Sequence, residues 1–348
     1  MANIPRIEDR ELPLVVRPGG EDEAARDVGA LCQWLKEEAS WVQEQLTGHG
    51  AILFRGFAVE SAEDFERLAR AVDSELKNEY LGTSPRDSLT SHVFNASELP
   101  DYFPIPQHCE MTFVAEPPRR VFFCCLDAPA EGSGETPLCD FRKVWRDLDP
   151  EVKRRFEERG LRIVRNYGPP GQTSNDAMQL KGWDEMFLTT DHAAVEEKCR
   201  EQGFEPTWLP GEALRLVHSQ PVTRDHPVSG ERVWHNHLTT FHTSTAVDEY
   251  ERIAAFRPTE RHQGLLRIAR GLEEQAAQKG SEEQSMHTTY LDGSEIPRED
   301  VAHVRDVVWR NLVPTPWQRG DVVAIDNHST SHGRLPYEGP RHIAVCWA

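Results

Sequence analysis

PTPWQRGDVVAIDNHSTSHGRLPYEGPRHIAVCWA, residues 314–348, places two β-rich runs on either side of a polar segment. A Gly-Asp turn at 320–321 leads into a strand of apolar residues at 322–325. His332 follows in a polar loop, and Arg341 opens the last strand. A histidine and an arginine in this order could hold a metal ion and a dicarboxylate together, because the planar guanidinium matches a carboxylate.

Short strands and amphipathic helices are predicted through the rest of the chain. Further strands are expected around 51–57, 121–128, 214–223, 231–238, 305–313, 321–326 and 341–347. Helices are expected at 21–47, from Ser61, at 149–160, 191–203 and 259–279. Strands that close from distant parts of one chain, with helices outside them, indicate an α+β fold: a double-stranded β-helix (jelly roll) or another two-sheet barrel. No linker divides the chain, so one domain of 1–348 is predicted, with an N-terminal helical extension of 1–48 and a core of 49–348.

The overall charge limits the classes of partner. The formal net charge is −19, from 39 Lys and Arg against 58 Asp and Glu. This balance repels nucleic acid and anionic lipid, so a small-molecule partner is expected. The N-terminus lacks the basic and apolar regions of a secretory signal, and the seven cysteines are scattered, which favours a cytoplasmic protein with reduced thiols. The sequence leaves open whether the chain forms a homo-oligomer.

His108 and Glu110 are candidate metal ligands. On an extended segment, residues i and i+2 point to the same face, so the two side chains can converge on one ion. Imidazole and carboxylate suit Fe(II), Mn(II) or Zn(II), and a third ligand would complete the 2-His-1-carboxylate triad of non-haem iron oxygenases. His332 is the preferred third ligand. His328, which lies four residues before His332, is the alternative. His235 and His237 share one face of a predicted strand and are expected to have a structural or pocket-lining role, with substrate contact as the alternative.

Several motifs together resemble a known family. In chain order they are His108-x-Glu110, Gly134-Glu135-Thr136, PWQRGDVVAIDN at 316–327, His332-Gly-Arg and Pro340-Arg341. The set is similar to the TauD/TfdA superfamily of Fe(II)- and 2-oxoglutarate-dependent oxygenases, within it to the clavaminate synthase-like and syringomycin-hydroxylase-like branch. The similarity runs from AILFRGF at 51 to the C-terminus.

The resemblance implies roles for individual residues. His108, Glu110 and His332 match the iron ligands, while Thr136 and Arg341 match the groups that bind the distal carboxylate of 2-oxoglutarate. Sulfonate-binding members carry another arginine where this chain has Val345, which argues against a taurine-like substrate. Halogenases of the superfamily replace the carboxylate ligand by a small residue, so the presence of Glu110 argues against chlorination.

The expected function is therefore oxidative. The chain is predicted to use Fe(II), 2-oxoglutarate and O2 to hydroxylate an unactivated C–H bond of an amino acid, an amine or a related small molecule, with release of succinate and CO2. Three alternatives stay open: an oxygenase that acts on a carrier-tethered aminoacyl group, a non-catalytic metal-binding or regulatory protein on the same barrel, and a zinc hydrolase. The zinc hydrolase gives no reason for Arg341 and Thr136.

Overall fold

The computed structural model describes residues 5–79, 87–97, 99–172, 180–276, 278, 280 and 283–348. The strands are β1 (Arg6–Glu8), β2 (Leu14–Arg17), β3 (Ala51–Phe54), β4 (Phe94–Asn95), β5 (Ile105–His108), β6 (Arg120–Asp127), β7 (Leu138–Asp140), β8 (Leu161–Tyr167), β9 (Glu205–Leu209), β10 (Ala213–Gln220), β11 (Thr223–Asp225), β12 (Arg232–Trp234), β13 (Met286–Tyr290), β14 (Val322–Asp326), β15 (Thr330–Arg334) and β16 (His342–Trp347). The helices are α1 (Glu23–Arg26), α2 (Val28–Glu37), α3 (Ala39–His49), α4 (Ala62–Val72), α5 (Phe141–Asp147), α6 (Pro150–Arg159), α7 (Trp183–Phe187), α8 (His192–Gln202), α9 (Leu238–Phe241), α10 (Thr245–Phe256), α11 (Glu260–Ala276) and α12 (Arg298–Arg310).

The strands form the predicted jelly roll. In the described part of the chain, the largest sheet has the order β1-β2-β3-β14-β6-β16-β4, and the facing sheets have the orders β5-β15-β7 and β13-β8-β10-β9. One apolar core lies between these sheets and includes Leu53, Phe123 and Val323 from the largest sheet, with Leu138 and Ile163 from the facing ones. The α+β prediction is confirmed.

Side chains of the central strands alternate between two cores. Phe123 points into the core between the sheets, whereas Phe122 packs into a second core on the outer face, where α2 and α4 cover the sheet. Successive residues of a strand point to opposite faces, so a strand buried on both sides reads as a continuous apolar run. The uncharged run at 121–125 is therefore covered on both faces, as its sequence predicts.

The N-terminal segment contributes strands as well as helices. Strand β2 pairs in parallel with β3, and β1 pairs antiparallel to β2, so residues before 18 extend the largest sheet. The single helix predicted at 21–47 is divided into α1, α2 and α3, and the Asp27 side chain accepts from the Ala30 N–H to begin α2. The division into an extension of 1–48 and a core of 49–348 stays a prediction.

The strand predicted at 305–313 is wrong, because residues 298–310 form helix α12. Its valines suggested a strand by their β-branching, but Val301, Val304 and Val308 recur at helical spacing and pack into one buried cluster. Burial of that face outweighs the weak intrinsic preference of valine for strands. The strand predicted at 231–238 is likewise shorter, because β12 ends at Trp234 and helix α9 begins at Leu238.

A buried ion pair joins β3 to the turn that begins β14. Arg55 donates from Nε to Asp321 Oδ1 at 2.9 Å and from Nη2 to Asp321 Oδ2 at 2.5 Å. The backbone N–H of Gln318 also donates to Asp321, at 2.8 Å. Gly320 precedes it at φ +83°, and a Cβ there would lie 3.1 Å from the Phe57 carbonyl oxygen. The pair holds the Gly-Asp turn that the sequence predicts.

None of the helices in the described ranges combines the length and the apolar character that a membrane crossing requires.

Replacement of Arg55 by methionine should destabilise the fold strongly. The Asp321 side chain is 0% exposed, so Arg55→Met would leave a buried carboxylate without its cation. The expected loss is about 3–5 kcal/mol in the free energy of unfolding, measured by urea denaturation. Arg154→Met is the control, because Arg154 pairs with Glu151 and Glu158 on an exposed helix face and should change stability by less than about 1 kcal/mol. Equal effects of the two substitutions would contradict the assignment.

Candidate active site

His332 lies in a strand and not in the polar loop that the sequence suggested. Strand β15 is the middle strand of its sheet, where His332 pairs directly with His108 on β5 and with Leu138 on β7. The strand reads as polar because its side chains find buried partners: the Ser331 hydroxyl donates to the Gln107 side chain at 2.7 Å. A polar residue is compatible with a central strand when its hydrogen bonds are satisfied.

His108, Glu110 and His332 form one compact group. Each offers a ligand atom, and these three atoms all lie within 4.8 Å of one another. The His332 Nε2 atom lies 3.5 Å from Glu110 Oε2, and the rings of His108 and His332 have their centroids 4.5 Å apart. Two imidazoles and one carboxylate at this separation are the donor set of a three-ligand metal site.

A backbone carbonyl selects the tautomer of His108. The His108 Nδ1 atom lies 2.8 Å from the Pro106 carbonyl oxygen, which can only accept a hydrogen bond. Nδ1 therefore carries the proton, and the lone pair is on Nε2. Metal-binding histidines commonly have their second ring nitrogen held in this way, which orients the ring and increases its basicity.

Asn327 holds Glu110 in place through both ends of its amide. Its Oδ1 accepts from the Glu110 backbone N–H at 2.6 Å, and its Nδ2 donates to the Glu110 carbonyl at 3.0 Å and to the Pro118 carbonyl at 2.7 Å. Met111 follows at φ +51°, a left-handed conformation that is uncommon for a residue with a side chain. The backbone turns sharply just after the carboxylate, and Asn327 satisfies the groups that this turn leaves buried.

Gly333 permits the close approach of β15 to β5. A Cβ at this position would lie 2.6 Å from the Ile105 carbonyl oxygen and 2.7 Å from the Gln107 side-chain nitrogen. The register also shifts here, because His332 pairs with His108 whereas Arg334 pairs with Ile105. The glycine in the motif His332-Gly-Arg is therefore required by packing against the strand that carries His108.

His328, the alternative third ligand, belongs to a different group. Its ring lies 5.8 Å from that of His226 and 6.5 Å from that of His235. The His226 Nε2 atom contacts Asp326 Oδ2 at 2.7 Å, and Arg120 donates to Asp326 Oδ1 at 2.8 Å. Asp326 therefore anchors a buried ion pair at the end of β14.

His235 and His237 have different surroundings, contrary to the shared face that the sequence suggested. Both follow the end of β12, where the chain is no longer an extended strand. His237 lies beside the metal group: its ring centroid is 5.5 Å from that of His108, and its Nδ1 is 2.5 Å from the Thr112 hydroxyl. Burial lowers the pKa of His237 well below its usual value, and the charges of His108 and Arg165 act in the same direction. His237 is therefore a neutral side chain next to the site.

A second His and Glu group has an ordinary explanation. His242, His287 and Glu295 also place one potential ligand atom each within 4.8 Å. The Glu295 side chain is 61% exposed and already contacts His287 Nε2 at 2.8 Å. A surface carboxylate that hydrogen-bonds to a histidine accounts for this arrangement, so the buried group around Glu110 is the candidate metal site.

Thr136 and Arg341 are brought together as their motifs implied. Arg341 donates from Nη2 to the Thr136 hydroxyl oxygen at 3.2 Å and from Nε to the Gly134 carbonyl at 2.8 Å. Trp317 also donates from its indole nitrogen to Thr136, at 3.2 Å. The hydroxyl oxygen accepts twice, so its own proton is left to donate to another acceptor. The contact of Trp317 with Thr136 has no signal in the sequence.

Neighbouring groups leave Arg341 available to an anion. Glu135 pairs instead with Arg257, at 2.6 Å, and no carboxylate in the described ranges forms an ion pair with Arg341. Burial, together with the charge of Arg334, lowers the pKa of Arg341 to about 10, so it stays protonated near neutral pH. Arg334 itself donates to the carbonyls of Leu99, Pro100 and Phe103 and has a structural role.

The two parts of the site are close together. Thr136 lies two residues before Leu138, which pairs with His332 across β7 and β15. Two extended residues span at most about 7 Å, which is the length scale of a five-carbon dicarboxylate. The arrangement can accommodate a metal ion at one end and a carboxylate at the other.

Comparison with known proteins identifies the family of the chain. Residues 15–347 match the family model described as taurine catabolism dioxygenase TauD, TfdA family. The chain is 30% identical over 304 residues to the dapdiamide synthesis protein DdaC of Enterobacter agglomerans, which covers 87% of this chain and 83% of that protein. It is also 30% identical over 342 residues to a clavaminate synthase-like protein of Arabidopsis thaliana, with 97% and 93% of the two chains covered.

A solved structure shows the same fold. It is that of PvcB, described as an Fe, alpha-ketoglutarate dependent oxygenase from an isonitrile synthetic pathway. The match has a TM-score of 0.51 at 15% identity and covers 96% of this chain and 85% of that chain.

Asn327 provides a test of the metal group that leaves all three candidate ligands in place. Asn327→Ala should weaken Mn(II) binding roughly 10- to 100-fold, because groups that orient metal ligands contribute that much to affinity. Equilibrium dialysis measures the effect. Asn311→Ala is the control, because Asn311 hydrogen-bonds to Asp147 and to the Val307 carbonyl, outside this group. An unchanged Mn(II) affinity in Asn327→Ala would show that Glu110 does not depend on its hydrogen bonds with Asn327.

Proposed function

Because the chain belongs to the TauD/TfdA family of dioxygenases, we propose that it hydroxylates an unactivated C–H bond of an amino acid, an amine or a related small molecule. It is a non-haem dioxygenase that depends on Fe(II) and 2-oxoglutarate and consumes O2. The family and cofactor predictions are confirmed at this level. The substrate, the C–H hydroxylation and the role of each residue are proposals.

His108, Glu110 and His332 are the proposed iron ligands. The fit rests on the lone pair that the Pro106 contact leaves on His108 Nε2 and on the nearby His332 and Glu110 donors. Three protein ligands leave open positions for a cosubstrate and oxygen. Bound iron, with 2-oxoglutarate and O2, supplies the oxidising chemistry and releases succinate and CO2.

The observation that carries the proposal is the pairing of Arg341 with Thr136. The guanidinium and the hydroxyl proton of Thr136 both have donor capacity left, and Trp317 fixes the hydroxyl. Together they would bind the distal carboxylate of 2-oxoglutarate through charge-assisted hydrogen bonds. Such a group would hold the end of the cosubstrate that does not bind the metal, and neither a non-catalytic metal-binding or regulatory protein nor a zinc hydrolase needs it.

Relatives support a small nitrogen-containing substrate. DdaC is named for dapdiamide synthesis, and PvcB is described as part of an isonitrile synthetic pathway. The names of both proteins point to small biosynthetic molecules that contain nitrogen. An aminoacyl group tethered to a carrier protein is the second candidate, and Val345 and Glu110 argue against a sulfonate substrate and chlorination respectively.

Binding of 2-oxoglutarate should depend on Arg341. Anaerobic addition of 2-oxoglutarate to the Fe(II) protein is expected to produce a weak visible charge-transfer band. In Arg341→Met, the 2-oxoglutarate concentration that produces half of the full band should rise roughly thirtyfold or more. The reason is that truncation of one partner of a buried charge pair costs about 2 kcal/mol or more. Arg319→Met, at an exposed arginine, is the control. An unchanged requirement in Arg341→Met would refute its role, and absence of the band in wild type would refute the proposed function.

Loss of a ligand should abolish turnover. His108→Ala and Glu110→Ala should each eliminate iron-dependent release of succinate from 2-oxoglutarate, measured by chromatography. Cys109→Ala is a close control, because Cys109 lies between the two ligands but packs with Cys139 in a separate apolar cluster. It should retain succinate release. Turnover that survives in Glu110→Ala would remove Glu110 from the ligand set.

A further inference from the structure

Arg165 is a fully buried arginine that the site described so far does not use. It lies in β8, between β13 and β10, and is 0% exposed. Isolated buried charges are costly, and arginine is almost never fully buried unless it is paired. No carboxylate within the described ranges forms an ion pair with Arg165. Its burial therefore requires an explanation.

Aromatic rings hold the guanidinium without satisfying its donors. The Arg165 Cζ atom lies 4.4 Å from the ring centroid of Phe113 and 4.8 Å from that of Phe204. Such cation–π contacts stabilise the charge through the flat faces of the guanidinium. They leave the N–H groups, which lie in the plane at its edge, to find other partners.

The unsatisfied donors form one edge of Arg165. Nη1 donates to the Tyr167 hydroxyl at 3.1 Å. Nε and Nη2 are buried and have no hydrogen-bond partner among the described residues. These two N–H groups point from the same edge in parallel, which is the fork that a carboxylate accepts with its two oxygens. The Nε and Nη2 donors of Arg165 together match the two oxygens of one carboxylate.

A chain of ring contacts links Arg165 to the metal group. Phe113, which stacks on Arg165, has its ring centroid 4.9 Å from that of His237. The His237 ring is in turn 5.5 Å from that of His108. The contacts therefore link the guanidinium to a proposed iron ligand through two rings, those of Phe113 and His237.

We propose that the Nε and Nη2 edge of Arg165 binds a carboxylate of the substrate and so directs a C–H bond of that molecule toward the iron. The inference rests on the proposed function and narrows it: the substrate carries a free carboxylate. An acyl group joined to a carrier as a thioester has lost that carboxylate. The inference therefore favours a free amino acid or related acid over an amine or a tethered aminoacyl group.

The test uses a carboxylate probe and does not require the natural substrate. Protein saturated with Mn(II) and 2-oxoglutarate, so that Arg341 is already engaged, is titrated with sodium propionate and followed by thermal unfolding. Propionamide and sodium chloride are the matched probes, because the first lacks the charge and the second lacks the planar carboxylate. A ligand that binds the folded state raises the midpoint of unfolding. We expect a saturable rise with propionate alone.

Variants assign that response to Arg165. Arg165→Met should lose the propionate response, and without propionate it should unfold at or above the wild-type temperature, because an unpaired buried charge has been removed. Arg165→Lys retains the charge without the fork and should bind propionate roughly tenfold more weakly or worse. Arg215→Met is the control: Arg215 contacts Asn166, whose side chain points to the opposite face of the sheet from Arg165, and should respond as wild type.

Each result has one interpretation. No saturable propionate response in wild type, an equal response to propionamide, or a full response in Arg165→Lys would overturn the inference. The comparison of wild type with Arg165→Lys decides the matter even if Arg165→Met does not fold. A normal Fe(II) and 2-oxoglutarate charge-transfer band without any propionate response would overturn this inference alone. Absence of that band would instead overturn the proposed function.

Discussion

Antiparallel pairing of β5 with β15 puts His108 directly opposite His332, and the geometry of the other site residues follows from that register. Directly opposed residues in neighbouring strands have side chains on the same face, so the pairing brings together two histidines from distant parts of the chain. Gly333 makes the approach possible because any Cβ would collide with the backbone of β5. A slip of one residue would move His332 to the other face and separate it from Glu110.

The buried arginines of this protein show how structural and functional charges differ. Arg55 is matched by Asp321, and the two terminal nitrogens of Arg334 donate to three carbonyl oxygens, so both arginines tie distant segments of the fold together. Arg341 and Arg165 instead keep donors that no carboxylate in the described ranges satisfies. Burial without a partner costs free energy of folding, which a ligand offsets when it binds. The two arginines lie in separate surroundings, Arg341 beside Thr136 and Arg165 beside Phe113 and Phe204.

Much of the fold follows from local patterns. The apolar runs at 51–57 and 121–128 predict strands, and the ranges 149–160 and 191–203 predict helices, that the structure contains. The wrong strand prediction at 305–313 has a specific cause: helix α12 spans 298–310, and its valines at helical spacing match an apolar surface that only the folded chain provides. Local preference is weak there, so packing decides the outcome.

By itself, the sequence predicted the candidate ligand set and indicated the family. The spacing of His108 and Glu110 follows from the two-residue period of a strand, and the order of motifs indicates the family. The sequence also preferred His332 to His328, and the tertiary structure gives the reason: strand pairing places His332 opposite His108. Only the tertiary structure revealed Asn327 and Arg165. Asn327 forms buried hydrogen bonds with the Glu110 backbone, whereas two buried donors of Arg165 have no partner among the described residues. Satisfaction of a buried donor depends on atoms from distant segments, and no local pattern encodes it.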